Sequence, residues 1–180
     1  DMAIRLFIGF RVSLLVAAAV TALSLLIGVI LGMIGGYLGG STDRVVRSAT
    51  DFIWGFPLIL VAVLLVGGLG EGLFPVIMAV GIVNVAAITR VVRGEVVGLK
   101  EKEFVEAARA AGVSSYRIMW RHLLPNVLAP ALIMASYLIA VAIIAEEALS
   151  FIGLGAQPPL PSLGKMIADG RGFLRINHCE

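Results

Sequence analysis

Glutamates, arginines and small residues alternate in the run EFVEAARAAGVSSYRIMWRHLLP at 103–125. Charge and alanine at that spacing suit docking against another protein better than making or breaking bonds. Side chains for covalent chemistry are scarce elsewhere. No Ser/His/Asp arrangement stands out, and His122 has no second His, Cys or carboxylate at a metal-ligand spacing. Gly164-Lys165 is followed by Met166 and lacks the upstream glycine of a phosphate-binding loop. Neither an enzyme nor a cofactor, metal or ATP site is therefore expected on this chain.

The elements that position the docking run are legible in the same residues. Glu101 to Ala111 are good helix formers, and Gly112 follows where a helix takes a left-handed cap. At about 100° per residue, Phe104, Ala107, Ala108 and Ala111 share one face, with Glu103, Glu106 and Ala110 opposite. Ser114 is placed to cap a second helix carrying Tyr116, Ile118, Met119 and Trp120 into Leu124-Pro125. On spacing alone two readings stand: a partner-docking surface, or an amphipathic loop that serves only topology.

The flanking composition sets the class. Hydrophobic residues are 59% and charged residues 14% of 180, too little charge to cover a soluble domain of this size. Mean hydropathy is +1.02. The apolar blocks are long enough to cross a hydrocarbon core, which takes ~20 helical residues, and lack the period-two alternation of a barrel. The predicted fold is an all-α transmembrane bundle forming one domain over 1–180, with spans near 12–38, 52–67, 73–92 and 126–151. The lone Cys179 excludes an internal disulfide. The net charge of +2 comes from basic residues beside spans, so no nucleic-acid role is expected. The first residues lack a signal-peptide pattern, and both ends read as cuts through a longer protein.

Along the first span Ser24, Gly28, Gly32, Gly36 and Gly40 recur every fourth residue, a stripe that lets another helix approach closely. Ser41-Thr42-Asp43 offers capping oxygens for the next helix, and Pro57 is placed to kink the second span. Arg90, Arg93, Lys100, Lys102, Arg109, Arg117 and Arg121 cluster around the third loop, while 67–74 has no basic residue. Although Lys165, Arg171 and Arg175 oppose it, the balance predicts a cytoplasmic loop at 94–122 and non-cytoplasmic termini.

Glu106-Ala107-Ala108, Gly112 and Leu124-Pro125 together resemble the EAA motif of permease subunits in binding-protein-dependent ABC importers. The likeness to the oligopeptide, dipeptide and nickel branch runs along nearly the whole chain. It is carried by Gly36-Tyr37-Leu38-Gly39-Gly40 with Asp43, by Asp51 with Phe56-Pro57, and by Arg90-Val91-Val92-Arg93-Gly94-Glu95. Arg121-His122-Leu123-Leu124-Pro125-Asn126 and Leu149-Ser150-Phe151-Ile152-Gly153-Leu154-Gly155 with Gln157-Pro158-Pro159 extend it. The resemblance implies a type I importer permease lacking its outer spans, in a bacterial or archaeal inner membrane. It implies that Glu106, Ala107, Ala108, Gly112, Leu124 and Pro125 couple to two cytoplasmic ATPase subunits. A second permease, an external solute-binding protein and membrane lipid would be the other partners. His122 stands where the general motif favours Ile and reads as a marker of the peptide branch.

Two polar positions in the spans are candidates for the translocation path. Asn84 could instead bridge helices, and Glu146, like Glu147, is expected at a solvated external helix end about 30 Å from Asn126 at ~1.5 Å per residue. An ion-gradient transporter using Asn84 and the glycine-rich helix, or a membrane scaffold that moves nothing, are the other functions these residues allow.

Overall fold

The computed structural model describes residues 2–155 and 162–176. Gln157-Pro158-Pro159, His178 and Cys179 lie outside the described residues, as do the side chains of Arg171 and Arg175. The described chain is helical: α1 (Met2–Leu38), α2 (Gly40–Trp54), α3 (Leu58–Leu69), α4 (Leu73–Leu99), α5 (Glu103–Ala110), α6 (Ser115–Arg117), a π-helical turn (Ile118–Leu123), α7 (Leu124–Phe151) and α8 (Leu163–Ile176).

Among the described residues three helices are long and apolar enough to cross a membrane: Met2–Leu38, Leu73–Leu99 and the continuous stretch Ser115–Phe151. A fourth exists only if α2 and α3 count as one broken span. The span expected at 52–67 is thus interrupted. Pro57 has no N–H to donate and disfavours a helical Phe56, so α2 stops at Trp54 and the 12-residue α3 starts afresh at Leu58. At ~1.5 Å per residue α3 alone is shorter than the ~30 Å core. α4 runs past its expected end at 92 to Leu99, which moves the start of the following loop to Lys100. Large apolar side chains stand exposed along the spans, Ile133 at 73% and Ile144 at 70% among them, as a lipid surround allows.

The chain divides into two compact units, and α1, α4 and α7 contribute to both. One comprises Asp1–Thr21, Phe56–Gly81 and Ile139–Glu180. Its core packs Val12, Val16 and Val20 of α1 with Ala62, Val76, Val80, Ala142 and Leu149. Positions four apart on α1 return to one side of the helix, which is why that valine row is buried.

The other unit comprises Ala22–Gly55 and Ile82–Leu138. Here the small-residue stripe of α1 meets α4. A Cβ on Gly28 would stand 2.8 Å from Ile88 Cβ; on Gly32, 2.8 Å from Val92 Cβ; on Gly36, 2.8 Å from Val96 Cβ. The two backbones approach closely because these three positions lack a side chain. Gly40 does not extend the stripe. It opens α2 with φ +57, and a Cβ there would meet nothing within 4 Å. Nor do Ser41, Thr42 or Asp43 cap α2, whose N-cap is Gly39 (φ 67) without a side-chain hydrogen bond.

Asp43 is instead taken by α4. Arg93 Nη2 donates to Asp43 Oδ2 at 2.7 Å, and Arg93 Nε bonds the other oxygen, a two-pronged grip. The guanidinium holds the Asp43 carboxyl below the usual carboxylate range. About two turns further along α2, Asp51 Oδ1 accepts from Arg90 Nη2 at 2.8 Å, and the same guanidinium lies 4.2 Å from the centroid of the Trp54 ring. Asp43→Asn is expected to lower the thermal midpoint of the assembled protein by several degrees, about what loss of a hydrogen bond to a charged group costs. The exchange D43R/R93D should recover most of that loss, measured by detergent-solution melting.

Candidate functional site

The 103–125 run is held on its inner side and bare on its outer side. Val105 is fully buried, Ala108 and Val113 pack partly against the same core, and Ile118, Met119 and Leu123 complete the anchor. Val105 with Ala108, spaced i and i+3, points inward, while Phe104, Ala107 and Ala111 are exposed. Alanine on every side leaves the helix with several nearly equal apolar faces, and the one bulky β-branched residue decides between them.

Gly112 closes α5 with φ +75. Its N–H donates to the Arg109 carbonyl (2.9 Å), and the Val113 N–H donates to the Ala108 carbonyl (3.0 Å). This paired pattern is the left-handed helix stop that glycine favours. Glu106, Ala107 and Gly112 are all exposed, so these three motif residues look outward while Ala108 packs on the core. Arg109 turns back over the Tyr37 ring at 5.2 Å, and Lys100 Nζ donates to the Gly36 carbonyl at 3.3 Å. Both contacts tie the loop to the end of α1.

Ser114 occupies the N-cap of α6 by backbone geometry, with ψ 146, but makes no side-chain cap bond. The helix expected beyond it is not regular. Over Ile118–Leu123 the chain is π-helical, and the Leu124 N–H reaches the Met119 carbonyl five residues back. Pro125 cannot donate to Arg121, and the wider turn accommodates that break. Asn126 Nδ2 meets the His122 carbonyl at 2.6 Å. Leu124 is half-buried and Pro125 exposed. Ser114, Tyr116, Arg117, Trp120 and Arg121 line a recess of about 530 Å³ beside the loop, with Tyr116 and Trp120 rings 6.0 Å apart.

The two polar span residues lie in different units. Asn84 is 3% exposed, and its Nδ2 has no hydrogen-bond partner among the described residues. Glu146 is fully buried rather than solvated. Ser150 Oγ donates to its Oε1 at 2.8 Å, and its Oε2 has no partner among the described residues. Glu147 is not at a free end either: it accepts from Ser13 Oγ of α1 and from the Gly164 N–H at the start of α8. Nothing in the local sequence points to that tie, because its partners are distant along the chain. Among the described residues no group of three or more His, Cys, Asp or Glu could hold a metal.

Residues 24–174 match the family model described as binding-protein-dependent transport system inner membrane component. The oligopeptide transport system permease protein OppC of Escherichia coli (strain K12) is 41% identical over 98% of this chain and 59% of its own length. The dipeptide transport system permease protein DppC of Alkalihalophilus pseudofirmus is 41% identical over 97% of the chain and 58% of its own length. The glutathione transport system permease protein GsiD of Pectobacterium atrosepticum is 36% identical over 98% and 58%. The chain thus spans less than two thirds of the length of these curated relatives. A chain in a solved inward-facing MetNI methionine ABC transporter superposes with TM-score 0.71 at 17% identity, covering 96% of this chain and 92% of that one. At that identity the likeness concerns the fold.

Proposed function

Since the chain belongs to the family of binding-protein-dependent transport system inner membrane components, we propose that it is the membrane-spanning permease part of an ATP-driven importer. Its solute is a peptide or a similarly small molecule, nickel included. The observation that carries the reading is α5, bare on its Glu106–Ala107 side, anchored beneath by Val105, and stopped at Gly112.

In this reading the loop lies in the cytoplasm and docks on one of two ATPase subunits, while a second permease completes the path and an external binding protein delivers solute. ATP binding contributes only if the closed ATPases bind one permease conformation more tightly than the other. Anchoring makes α5 a lever: Ile118, Met119 and Leu123 lead directly into α7, so displacement of the loop reaches a span. Asn84 and Glu146 belong to the path in this proposal. Each buries a polar atom with no partner among the described residues, a costly arrangement that water or a passing solute relieves.

The test is uptake of labelled peptide into vesicles holding the full-length protein with its permease and ATPase partners and the binding protein. Uptake is expected to require ATP. Uptake that survives ATP depletion but stops when the ion gradient is collapsed would reassign the chain to secondary transport. No uptake of any offered solute by an intact complex would leave a scaffold.

A further inference from the structure

α2 presents three faces around its axis. Val46, Thr50 and Ile53 turn inward. Val45 and Phe52, each 68% exposed, and Ala49 form an apolar outer stripe at i, i+4 and i+7. Beside that stripe Arg44, Arg47 and Ser48 are exposed and line a recess of about 330 Å³ together with Asp43 and Asp51.

The charges in that recess do not cancel. Asp43 is engaged by Arg93, and Asp51 by Arg90. Arg47 adds a through-space attraction to Asp43, but among the described residues neither Arg44 nor Arg47 forms an ion pair. Two arginines are left facing outward next to an apolar strip one helix-width across. That pattern is the signature of a helix lying in a membrane–water interface, with apolar side chains among acyl chains and cations at the headgroups.

We propose that α2 binds the phosphate of anionic phospholipids in the leaflet bordering the coupling loop, gripped by Arg44 and Arg47, with Val45 and Phe52 in the acyl region. The side of the membrane follows from the Arg109–Tyr37 and Lys100–Gly36 contacts, which put the start of α2 beside the 103–112 loop. It rests on the cytoplasmic placement of that loop. The cytoplasmic leaflet carries anionic lipid that attracts basic side chains, and arginine matches phosphate through paired N–H donors. The phosphate binders are the α2 arginines alone, since Arg90 and Arg93 are already spent on carboxylates.

The experiment is native mass spectrometry of the assembled full-length complex titrated with phosphatidylglycerol, phosphatidylcholine or inorganic phosphate. Phosphatidylglycerol should bind at least tenfold more tightly than phosphatidylcholine. R44Q/R47Q should lose roughly ten- to thirtyfold of that affinity, the size two basic side chains give at an anionic surface. R44K/R47K should keep much of it, and R5Q should change nothing. Equal binding of the two lipids by the wild-type complex overturns the proposal, as does full preference retained in R44Q/R47Q. Displacement of phosphatidylglycerol by millimolar inorganic phosphate would make this a free-phosphate site instead. If V45D/F52D dissociates the second permease while lipid binding is unchanged, the stripe is a protein interface and the lipid assignment fails. ATP-dependent uptake is read in parallel, so failure of the transport function is distinguishable from failure of the lipid site.

Discussion

Gly32→Leu is expected to deplete the protein from the membrane fraction several-fold or more, whatever its effect on transport. Even one added carbon at Gly32 would stand 2.8 Å from the Thr89 carbonyl oxygen and 2.8 Å from Val92 Cβ. The Thr89 oxygen is backbone in a continuous helix and cannot rotate away. α1 and α4 would have to separate, and the contacts at Gly28–Ile88 and Gly36–Val96 would open with them. In lipid no hydrophobic effect replaces the lost helix–helix contact, because acyl chains are as apolar as the side chains. Overpacking alone costs about 1–3 kcal/mol, and losses of that order reduce cellular abundance several-fold. Gly68→Leu is the control. It makes the same exchange in α3, where a Cβ meets nothing within 4 Å, and should leave abundance near the parent level. Quantitative immunoblotting of membrane fractions reads both. Equal abundance of the two variants would remove the close-approach role of the stripe.

Gly112→Val is expected to cut uptake about tenfold while the protein still inserts and the ATPases still turn over. The reason is conformational and not steric. A Cβ at 112 would meet open space, yet φ is +75, a region costing an L-residue about 1–2 kcal/mol and hardest for β-branched side chains. Relief of that strain means undoing the Gly112–Arg109 and Val113–Ala108 bonds, so α5 loses its defined end. In the proposed coupling role, an α5 with a frayed end still docks but transmits less displacement to Ile118 and α7. Uptake per ATP should fall in the order glycine, asparagine, alanine, valine, since asparagine tolerates the left-handed region best among the substitutes. Simultaneous assays of peptide uptake and phosphate release in proteoliposomes test the order. Normal uptake by the valine variant would sink the lever, although not the importer assignment.

Much of the site was legible because its signals are local. Gly112 follows a run of helix formers, and its left-handed stop needs only its near neighbours. The stripe at Ser24, Gly28, Gly32 and Gly36 repeats at helical spacing, so its use in packing could be expected before its partner was known. The inward face of α5 was not legible. Phe104, Ala107 and Ala111 make as good a periodic stripe as Val105 and Ala108, and only the core beneath favours the second. The break at 55–57 was half visible: Pro57 announces a kink, but separation into two helices depends on Gly55 ending α2 with its own backbone bonds.

The amino-acid order by itself determined the class, an all-helical membrane component of the binding-protein-dependent transport family, and where its charged loop lies, because hydropathy and helix stops are properties of short windows of chain. Tertiary structure alone decided that Asp43 answers to Arg93, that Glu146 is buried, and that Glu147 binds Ser13 and the Gly164 N–H. These pairings join residues tens to more than a hundred positions apart. A charge or carboxylate in a sequence is open to many partners, and helix packing brings only one of them within the few ångströms a hydrogen bond allows.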